Sequence, residues 1–150
     1  MKVLFVCYGN ICRSPLAEGI LRAKAEVAGL NIIFDSAGTS NWHSGEKPDR
    51  RGINTAAAHG IDISNLRARH FKPEDFDVFD LIVAMDKSNY SDLQSLSRNN
   101  YDMKKIKLFM NLAYPDCNID VHDPYYDNKF KEVFDTINEA GNLIIEKLKH

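Results

Sequence analysis

Hydrophobic and polar positions alternate along the chain in blocks that have the lengths of short strands and amphipathic helices. Four apolar runs predict strands, at residues 2–7, 31–35, 79–85 and 106–109. The run at 79–85 is almost continuously apolar, which is typical of a strand that is covered on both faces. The pattern therefore indicates a parallel sheet between two layers of helices.

Helical periodicity fills the segments between these runs. After the first strand, apolar residues recur at helical spacing at Leu16, Ile20, Ala23 and Val27. Gly29 marks the expected end of that helix, a second helix is expected over residues 49–59 before Gly60, and Asp86 can cap a third. The helix after Asp86 carries Tyr90, Leu93 and Leu96. The last helix has the clearest apolar stripe, formed by Phe130, Val133, Phe134, Ile137, Ile144 and Leu148.

The alternation of strands and helices predicts the fold class. We expect an α/β fold with a four-stranded parallel sheet, doubly wound as a three-layer sandwich of the flavodoxin-like or Rossmann-like kind. The length fits a single domain over residues 1–150. In such folds a ligand lies at the carboxyl ends of the strands, near a switch in strand order. The loop after the first strand, which begins at Cys7, occupies such a place.

The charge balance and the short apolar runs narrow the function classes. The formal net charge is -2, so the chain as a whole has no strong attraction to nucleic acid or to an acidic membrane. No apolar run approaches the length of a membrane span, and the apolar opening is too short for a signal peptide. We therefore expect a cytoplasmic protein with no nucleic-acid or membrane partner.

The cysteines and histidines argue against a disulfide framework and a metal site. The cysteines are odd in number, at Cys7, Cys12 and Cys117. No Cys-x-x-Cys pair is present. The histidines are scattered, at His43, His59, His70, His122 and His150. We expect no metal and no cofactor.

The segment after the first strand has the residue types of an anion-binding loop. It reads Cys7-Tyr8-Gly9-Asn10-Ile11-Cys12-Arg13-Ser14-Pro15. A helix is expected to begin near Ser14 and Pro15, since proline suits a first turn, and its free N–H groups can converge on an anion. Gly9 permits backbone angles that turn the loop amides inward, and Arg13 adds a planar fork matched to phosphate oxygens.

Cys7 lies at the base of this loop. A helix N-terminus and a nearby arginine favour the thiolate over the thiol, so we expect Cys7 to be a nucleophile at neutral pH. A lone cysteine at the end of a strand is more often a small buried hydrophobic residue. Arg13, six positions later, together with the intervening Gly9, favours the nucleophile.

The spacing C-x5-R is shared by the cysteine-dependent phosphatases. The longer string from Val6 to Pro15 resembles the low-molecular-weight protein tyrosine phosphatases. The resemblance continues through Asp35-Ser36-Ala37-Gly38-Thr39, Trp42, Ala84-Met85-Asp86-Lys87-Ser88-Asn89 and Asp123-Pro124-Tyr125-Tyr126, and so covers nearly the whole chain. It implies a metal-independent hydrolase that removes phosphate from tyrosine in proteins through a phosphocysteine intermediate on Cys7.

The resemblance implies roles in catalysis. Asp123 would protonate the leaving oxygen and then, as a carboxylate, activate the water that hydrolyses phospho-Cys7. Arg13 and the loop amides would bind the phosphate oxygens, and also inorganic phosphate, vanadate or sulfate. The phosphate-binding loop would comprise Tyr8, Gly9, Asn10, Ile11, Cys12 and Ser14. Ser14 would donate its hydroxyl to the Cys7 sulfur, with a helix cap as its alternative or additional role.

Three further roles follow from the same resemblance. Asn10 would brace the loop through side-chain hydrogen bonds, with Ser36 as its partner. Asp86 would hold Arg13 in place. Cys12 would trap oxidised Cys7 as a disulfide and so protect it from irreversible oxidation.

Aromatic residues would form the walls of the substrate cleft. They are Tyr8, Trp42, Tyr125 and Tyr126, although Tyr126 could instead pack against the protein. A flat phosphoaryl ring suits such walls. Relatives that hydrolyse phosphoarginine carry threonine where this chain has Ile11, which favours phosphotyrosine.

Three competing functions have less support from the sequence. An arsenate reductase of this fold would need two closely spaced cysteines late in the chain, and only Cys117 lies outside the loop. A non-catalytic phosphotyrosine-binding module would not need the set of Cys7, Arg13, Ser14 and Asp123. A nucleotide site would need a G-x-x-x-x-G-K-[ST] or G-x-G-x-x-G motif, and the loop has neither. The protein substrate is open, and so is the choice between a monomer and a weak homodimer.

Overall fold

A computed structural model of the chain describes residues 1–149, so His150 lies outside the described residues. The strands are β1 (Lys2–Cys7), β2 (Ile33–Gly38), β3 (Leu81–Ala84) and β4 (Ile106–Leu108). The helices are α1 (Arg13–Val27), α2 (Arg50–Ala57), α3 (Asp75–Val78), α4 (Lys87–Leu96), α5 (Asn100–Lys105), α6 (Phe109–Ala113) and α7 (Phe130–Leu148).

The four strands form one parallel sheet in the order β2-β1-β3-β4. Strand β1 is central, and its Val6 is aligned with Ala37 on one side and with Ala84 on the other. The chain reverses its direction of travel across the sheet after β2, so β1 borders the point where strand order switches. The predicted α/β, doubly wound architecture is confirmed.

Alternate residues of β1 enter two separate hydrophobic cores, as the period of a strand requires. Val3 and Phe5 pack in the core beneath α1 and α7. Leu4 and Val6 pack in the core on the opposite face, together with Phe71. Helices thus cover both faces of the sheet, which explains why β1 is apolar at almost every position.

Asp86 and Asp49 cap helices, and Asp86 does so at the predicted place. The Asp86 carboxylate accepts the Asn89 N–H at 2.7 Å, while the Asn89 side chain accepts the Asp86 N–H, which completes a capping box for α4. Asp49 accepts the N–H of Arg51 and caps α2. Both caps lie beside the loop that begins at Cys7, because the Asp86 carboxylate accepts a hydrogen bond from Arg13 and the Asp49 N–H donates to the Ile11 carbonyl oxygen.

Several element boundaries differ from the predictions. β2 begins at Ile33 and ends at Gly38, later than the predicted 31–35, because its last residues pair with the end of β1 although Asp35 and Ser36 are polar. Phe109, predicted to end β4, begins α6. The short helices α3, α5 and α6 were not predicted, since helices of four to six residues carry too little periodicity. Within residues 1–149, no helix has the length and hydrophobicity needed to span a bilayer.

Candidate active site

The loop between β1 and α1 carries the buried thiol of Cys7 at its base. Helix α1 begins at Arg13, and its N-cap residue Cys12 makes no side-chain capping bond. Ser14 lies inside the first turn, with its hydroxyl oxygen 3.0 Å from the Cys7 sulfur. The expectation that Ser14 could cap the helix is therefore wrong.

The strained backbone of the loop is at Asn10 rather than at Gly9. Asn10 has a φ of 56°, in the left-handed region, whereas Gly9 is not among the positive-φ residues. Asparagine tolerates this region better than other residues with a Cβ. Space at Gly9 is tight instead, because a Cβ there would lie 3.1 Å from the His43 ring. Space at Gly38, beneath the loop, is also restricted, since a Cβ added there would lie 2.7 Å from the Tyr8 carbonyl oxygen.

Three hydrogen bonds hold the Asn10 side chain in one orientation. Its Oδ1 accepts the Arg69 N–H at 2.9 Å, so its amide nitrogen must face the other way. That nitrogen donates to Ser14 Oγ at 2.8 Å and to Ser36 Oγ at 3.0 Å. The predicted contact between Asn10 and Ser36 is present, and Asn10 also reaches Ser14.

These bonds determine where the Ser14 proton points. Ser14 is completely buried and already accepts a hydrogen bond from Asn10. If it also accepted a proton from Cys7, its own hydroxyl hydrogen would be buried without a partner. The arrangement therefore favours donation from Ser14 to the Cys7 sulfur, as a thiolate requires.

The chain of hydrogen bonds ends at Glu18, which was not predicted from the sequence. Ser36 Oγ donates to Glu18 Oε1 at 2.7 Å, and Arg22 pairs with the other carboxylate oxygen. Burial raises the pKa of Glu18, while the bonds from Ser36 and Arg22 act in the opposite direction. The available signal was the spacing of Ser14, Glu18 and Arg22, which places all three on one face of α1.

Arg13 is buried and holds three acceptors around its guanidinium. Its Nη1 donates to Asp86 Oδ2 at 2.6 Å and to the Val121 carbonyl oxygen at 3.0 Å, and its Nη2 lies 3.8 Å from Asp123 Oδ2. Burial by itself lowers the pKa of Arg13, but the charges of Cys7, Asp86 and Asp123 together raise it above its ordinary value. The structure thus brings Arg13 and Asp86 together as expected.

Asp123 lies at the mouth of the cleft and is partly exposed. Its Oδ1 accepts the Tyr125 N–H at 3.1 Å, and its Oδ2 faces Arg13. A carboxyl group in this position can exchange protons with water and with a group that is bound over Cys7.

Cys7 opens into a cleft of about 520 Å³. All four expected aromatic residues, Tyr8, Trp42, Tyr125 and Tyr126, line this cleft. Tyr126 is 90% exposed and Trp42 is 80% exposed, so the expectation that Tyr126 could pack in the protein is wrong. His43, Ser88 and Asn89 also line the cleft and were not anticipated.

The remaining two cysteines have different surroundings. Cys12 lies in the loop beside Cys7, and burial followed by the charge of Cys7 raises the pKa of its thiol. Cys117 is partly buried outside the cleft and donates to Asn111 Oδ1. All three cysteines are free thiols. Among residues 1–149, no three His, Cys, Asp or Glu side chains are grouped so that they could hold a metal ion.

Comparisons with known proteins agree with this geometry. The family model described as "Low molecular weight phosphotyrosine protein phosphatase" matches residues 2–150. The low molecular weight phosphotyrosine protein phosphatase of Mus musculus is 40% identical, with 97% of this chain and 94% of that protein covered.

Two solved structures extend the comparison. A protein tyrosine phosphatase from Entamoeba histolytica, with Hepes in the active site, has a TM-score of 0.91 at 35% identity and covers 99% of this chain and 97% of its own. The YwlE arginine phosphatase, from Bacillus subtilis, has a TM-score of 0.90 at 25% identity and covers 99% of this chain and 96% of its own. That structure is a mutant with a phosphorylated active-site serine.

Proposed function

Because the chain belongs to the low molecular weight phosphotyrosine protein phosphatases, a family of hydrolases, we propose that it hydrolyses phosphotyrosine in proteins through a phosphocysteine intermediate on Cys7. The observation that carries the proposal is the position of the Cys7 sulfur, 3.0 Å from the Ser14 hydroxyl at the N-terminus of α1. The match over residues 2–150 supports a single phosphatase domain.

In the first step the Cys7 thiolate attacks the phosphorus. A sulfur–phosphorus bond forms while the bond between phosphorus and the tyrosine oxygen breaks, and Asp123 gives its proton to that oxygen. Arg13 and the loop amides bind the equatorial oxygens as charge shifts among them. The contact of Arg13 with Asp86 supports this role, because it fixes the guanidinium in the cleft that Cys7 also lines.

In the second step water replaces the sulfur. Asp123, now a carboxylate, takes a proton from water, whose oxygen bonds to phosphorus while the sulfur–phosphorus bond breaks. The released Cys7 thiolate accepts a hydrogen bond from the Ser14 hydroxyl, which lowers the energy of the leaving sulfur. The reaction needs no metal or cofactor, and phosphate, vanadate or sulfate can occupy the same loop.

Phosphotyrosine is the substrate that the cleft fits best. Aromatic walls at Tyr8, Trp42 and Tyr125 suit a phenyl ring. A second candidate is phosphoarginine, because the YwlE arginine phosphatase shares this fold. Ile11 lines the cleft with an apolar side chain that offers no hydrogen-bonding group to a guanidinium, which favours phosphotyrosine.

Arsenate reduction and phosphotyrosine binding without cleavage have less support. The thiol relay of an arsenate reductase would need two cysteines beyond the loop, and Cys117 is the sole one. A module that binds phosphotyrosine without cleaving it has no use for Asp123 beside Arg13. We further propose a cytoplasmic enzyme, consistent with free thiols, acting as a monomer or weak homodimer.

Turnover of 4-nitrophenyl phosphate with EDTA present is the first test. We expect hydrolysis at mildly acidic pH, inhibition by vanadate, and its loss in Cys7→Ser, which should still bind phosphate. Cys117→Ser is the matched control and should keep its activity. Peptides with phosphotyrosine, phosphoserine and phosphoarginine then decide the substrate, and preference for phosphoarginine would overturn the phosphotyrosine assignment.

A further inference from the structure

Arg51, which lies outside the catalytic set, connects the two sides of the cleft. Its Nη2 donates to the Tyr125 carbonyl oxygen at 3.0 Å. Its guanidinium also lies 5.7 Å from the centre of the Tyr125 ring and 4.6 Å from that of Phe130. Arg51 therefore holds Tyr125 by its backbone and by its ring.

The other side of Arg51 is fixed to the phosphate-binding loop through Asp49. The Asp49 carboxylate accepts three hydrogen bonds from Arg51, from the backbone N–H at 2.9 Å, from Nε at 3.0 Å and from Nη2 at 2.9 Å. The Asp49 N–H donates to the Ile11 carbonyl oxygen at 2.8 Å. The hydrogen bonds from Arg51 lower the pKa of Asp49, so the pair stays ionised at neutral pH.

Tyr125 in turn contacts the general acid. Its N–H donates to Asp123 Oδ1, while its carbonyl oxygen accepts from Arg51. A continuous path therefore runs from Ile11 through Asp49, Arg51 and Tyr125 to Asp123. The general acid is held by contacts on both sides, since Arg13 also binds the Val121 carbonyl oxygen two residues before it.

From this path we infer that Arg51 is a positioning residue that holds Asp123 and Tyr125 at the distance from the loop that proton transfer requires. The inference rests on the proposed function of Asp123 as general acid. Arg51 does not line the cleft into which Cys7 opens, so its loss should weaken proton transfer and leave anion binding intact.

The test is a series of aryl phosphates whose leaving groups need a proton to different degrees. In Arg51→Met, kcat/KM for phenyl phosphate should fall about tenfold more than for 4-nitrophenyl phosphate. This loss is smaller than the full contribution of a general acid, because Asp123 is still present. Vanadate should bind as in the unchanged protein. Arg51→Lys keeps one donor and should recover part of the loss. An equal fall for every leaving group would overturn the inference.

Two further variants sharpen the result. Arg50→Met is the matched control, because Arg50 is the exposed neighbouring residue and, among residues 1–149, has no side-chain hydrogen bond or ion pair. It should not alter the leaving-group dependence. In an Asp123→Ala background, Arg51→Met should cause no additional leaving-group effect, because both act through one proton. Additive losses would show that Arg51 acts elsewhere.

Hydrogen exchange separates this inference from the proposed function. The Tyr125 amide should exchange faster in Arg51→Met than in Arg50→Met, whether or not the protein is a phosphatase.

Should Arg51→Met fail to fold, Asp49→Asn replaces it, because asparagine still caps α2 but weakens the hydrogen bonds to the Arg51 guanidinium. Unchanged exchange at Tyr125 would overturn the inference. Absence of all phosphatase activity in the unchanged protein would instead overturn the proposed function.

Discussion

Arg13 donates a hydrogen bond to the Val121 carbonyl oxygen at 3.0 Å, across 108 positions of sequence. The guanidinium proposed to bind phosphate therefore also anchors the segment that carries Asp123. Its Nη1 donates to both Asp86 and the Val121 carbonyl oxygen. The ammonium group of a lysine could not make these bonds with the same planar geometry.

We expect Arg13→Lys to lose activity although it keeps the charge. Loss of the fork should lower kcat/KM by a factor on the order of a thousand, because phosphate oxygens and the Asp123 segment both lose their fixed donors. Steady-state kinetics and vanadate affinity measure this effect. Arg98→Lys, an exposed arginine outside the cleft, is the control. Near-normal turnover in Arg13→Lys would contradict the proposed role.

Asp123→Ala should slow hydrolysis selectively. Without the acid, kcat/KM for phenyl phosphate should fall by roughly a hundredfold or more, and much less for esters whose leaving group needs no proton. Asp120→Ala removes a nearby carboxylate that pairs with Lys87 and does not line the cleft, so it should leave that ratio unchanged. Equal losses for good and poor leaving groups would remove Asp123 from the acid role.

The sequence was sufficient to predict the features that depend on neighbouring residues. Asp86, directly before the third predicted helix, indicated a helix cap, and the structure has a capping box there. The apolar run at residues 2–7 indicated a strand, and the bounds of β1 agree. In both cases the cause of the structure lies within a few positions of the residue itself.

Features that depend on distant contacts could not be predicted in the same way. Glu18 was missed because a glutamate on a helix is ordinarily exposed, and its hydrogen bond with Ser36 on β2 forms only in the folded protein. Gly9 was assigned conformational freedom, whereas in the structure a side chain there would crowd His43, a residue 34 positions away. The link between Arg51 and Tyr125 spans 74 positions.

The buried Glu18 predicts an unusual pH dependence of stability. Its pKa is raised by burial, so the folded state holds this proton more tightly than the unfolded state does. The contribution to the free energy of unfolding is therefore fully present below the ordinary value of 4.5 and is lost as pH rises through the folded pKa. Glu18→Gln cannot titrate, so its stability relative to the unchanged protein should increase with pH above 4.5.

Urea unfolding of Glu18→Gln at several pH values measures this difference. Glu26→Gln removes an exposed carboxylate from the same helix and controls for the change in charge. If the stability difference of Glu18→Gln stays constant over the whole pH range, Glu18 is not the buried titrating group described above.

Peroxide should convert Cys7 and Cys12 into a disulfide. The Cys7 thiolate takes an oxygen from hydrogen peroxide to give the sulfenic acid, and Cys12 then displaces water to form the sulfur–sulfur bond. Burial and the charge of Cys7 raise the pKa of Cys12. Oxidation of Cys7 removes that charge and eases deprotonation of Cys12. Mass spectrometry after mild peroxide should find the linked peptides, and dithiothreitol should restore activity.

The variant Cys12→Ser should instead accumulate sulfinic Cys7 and lose activity irreversibly, while Cys117→Ser should behave as the unchanged protein. Sulfinic Cys7 beside a free Cys12 in the unchanged protein would exclude the protective role.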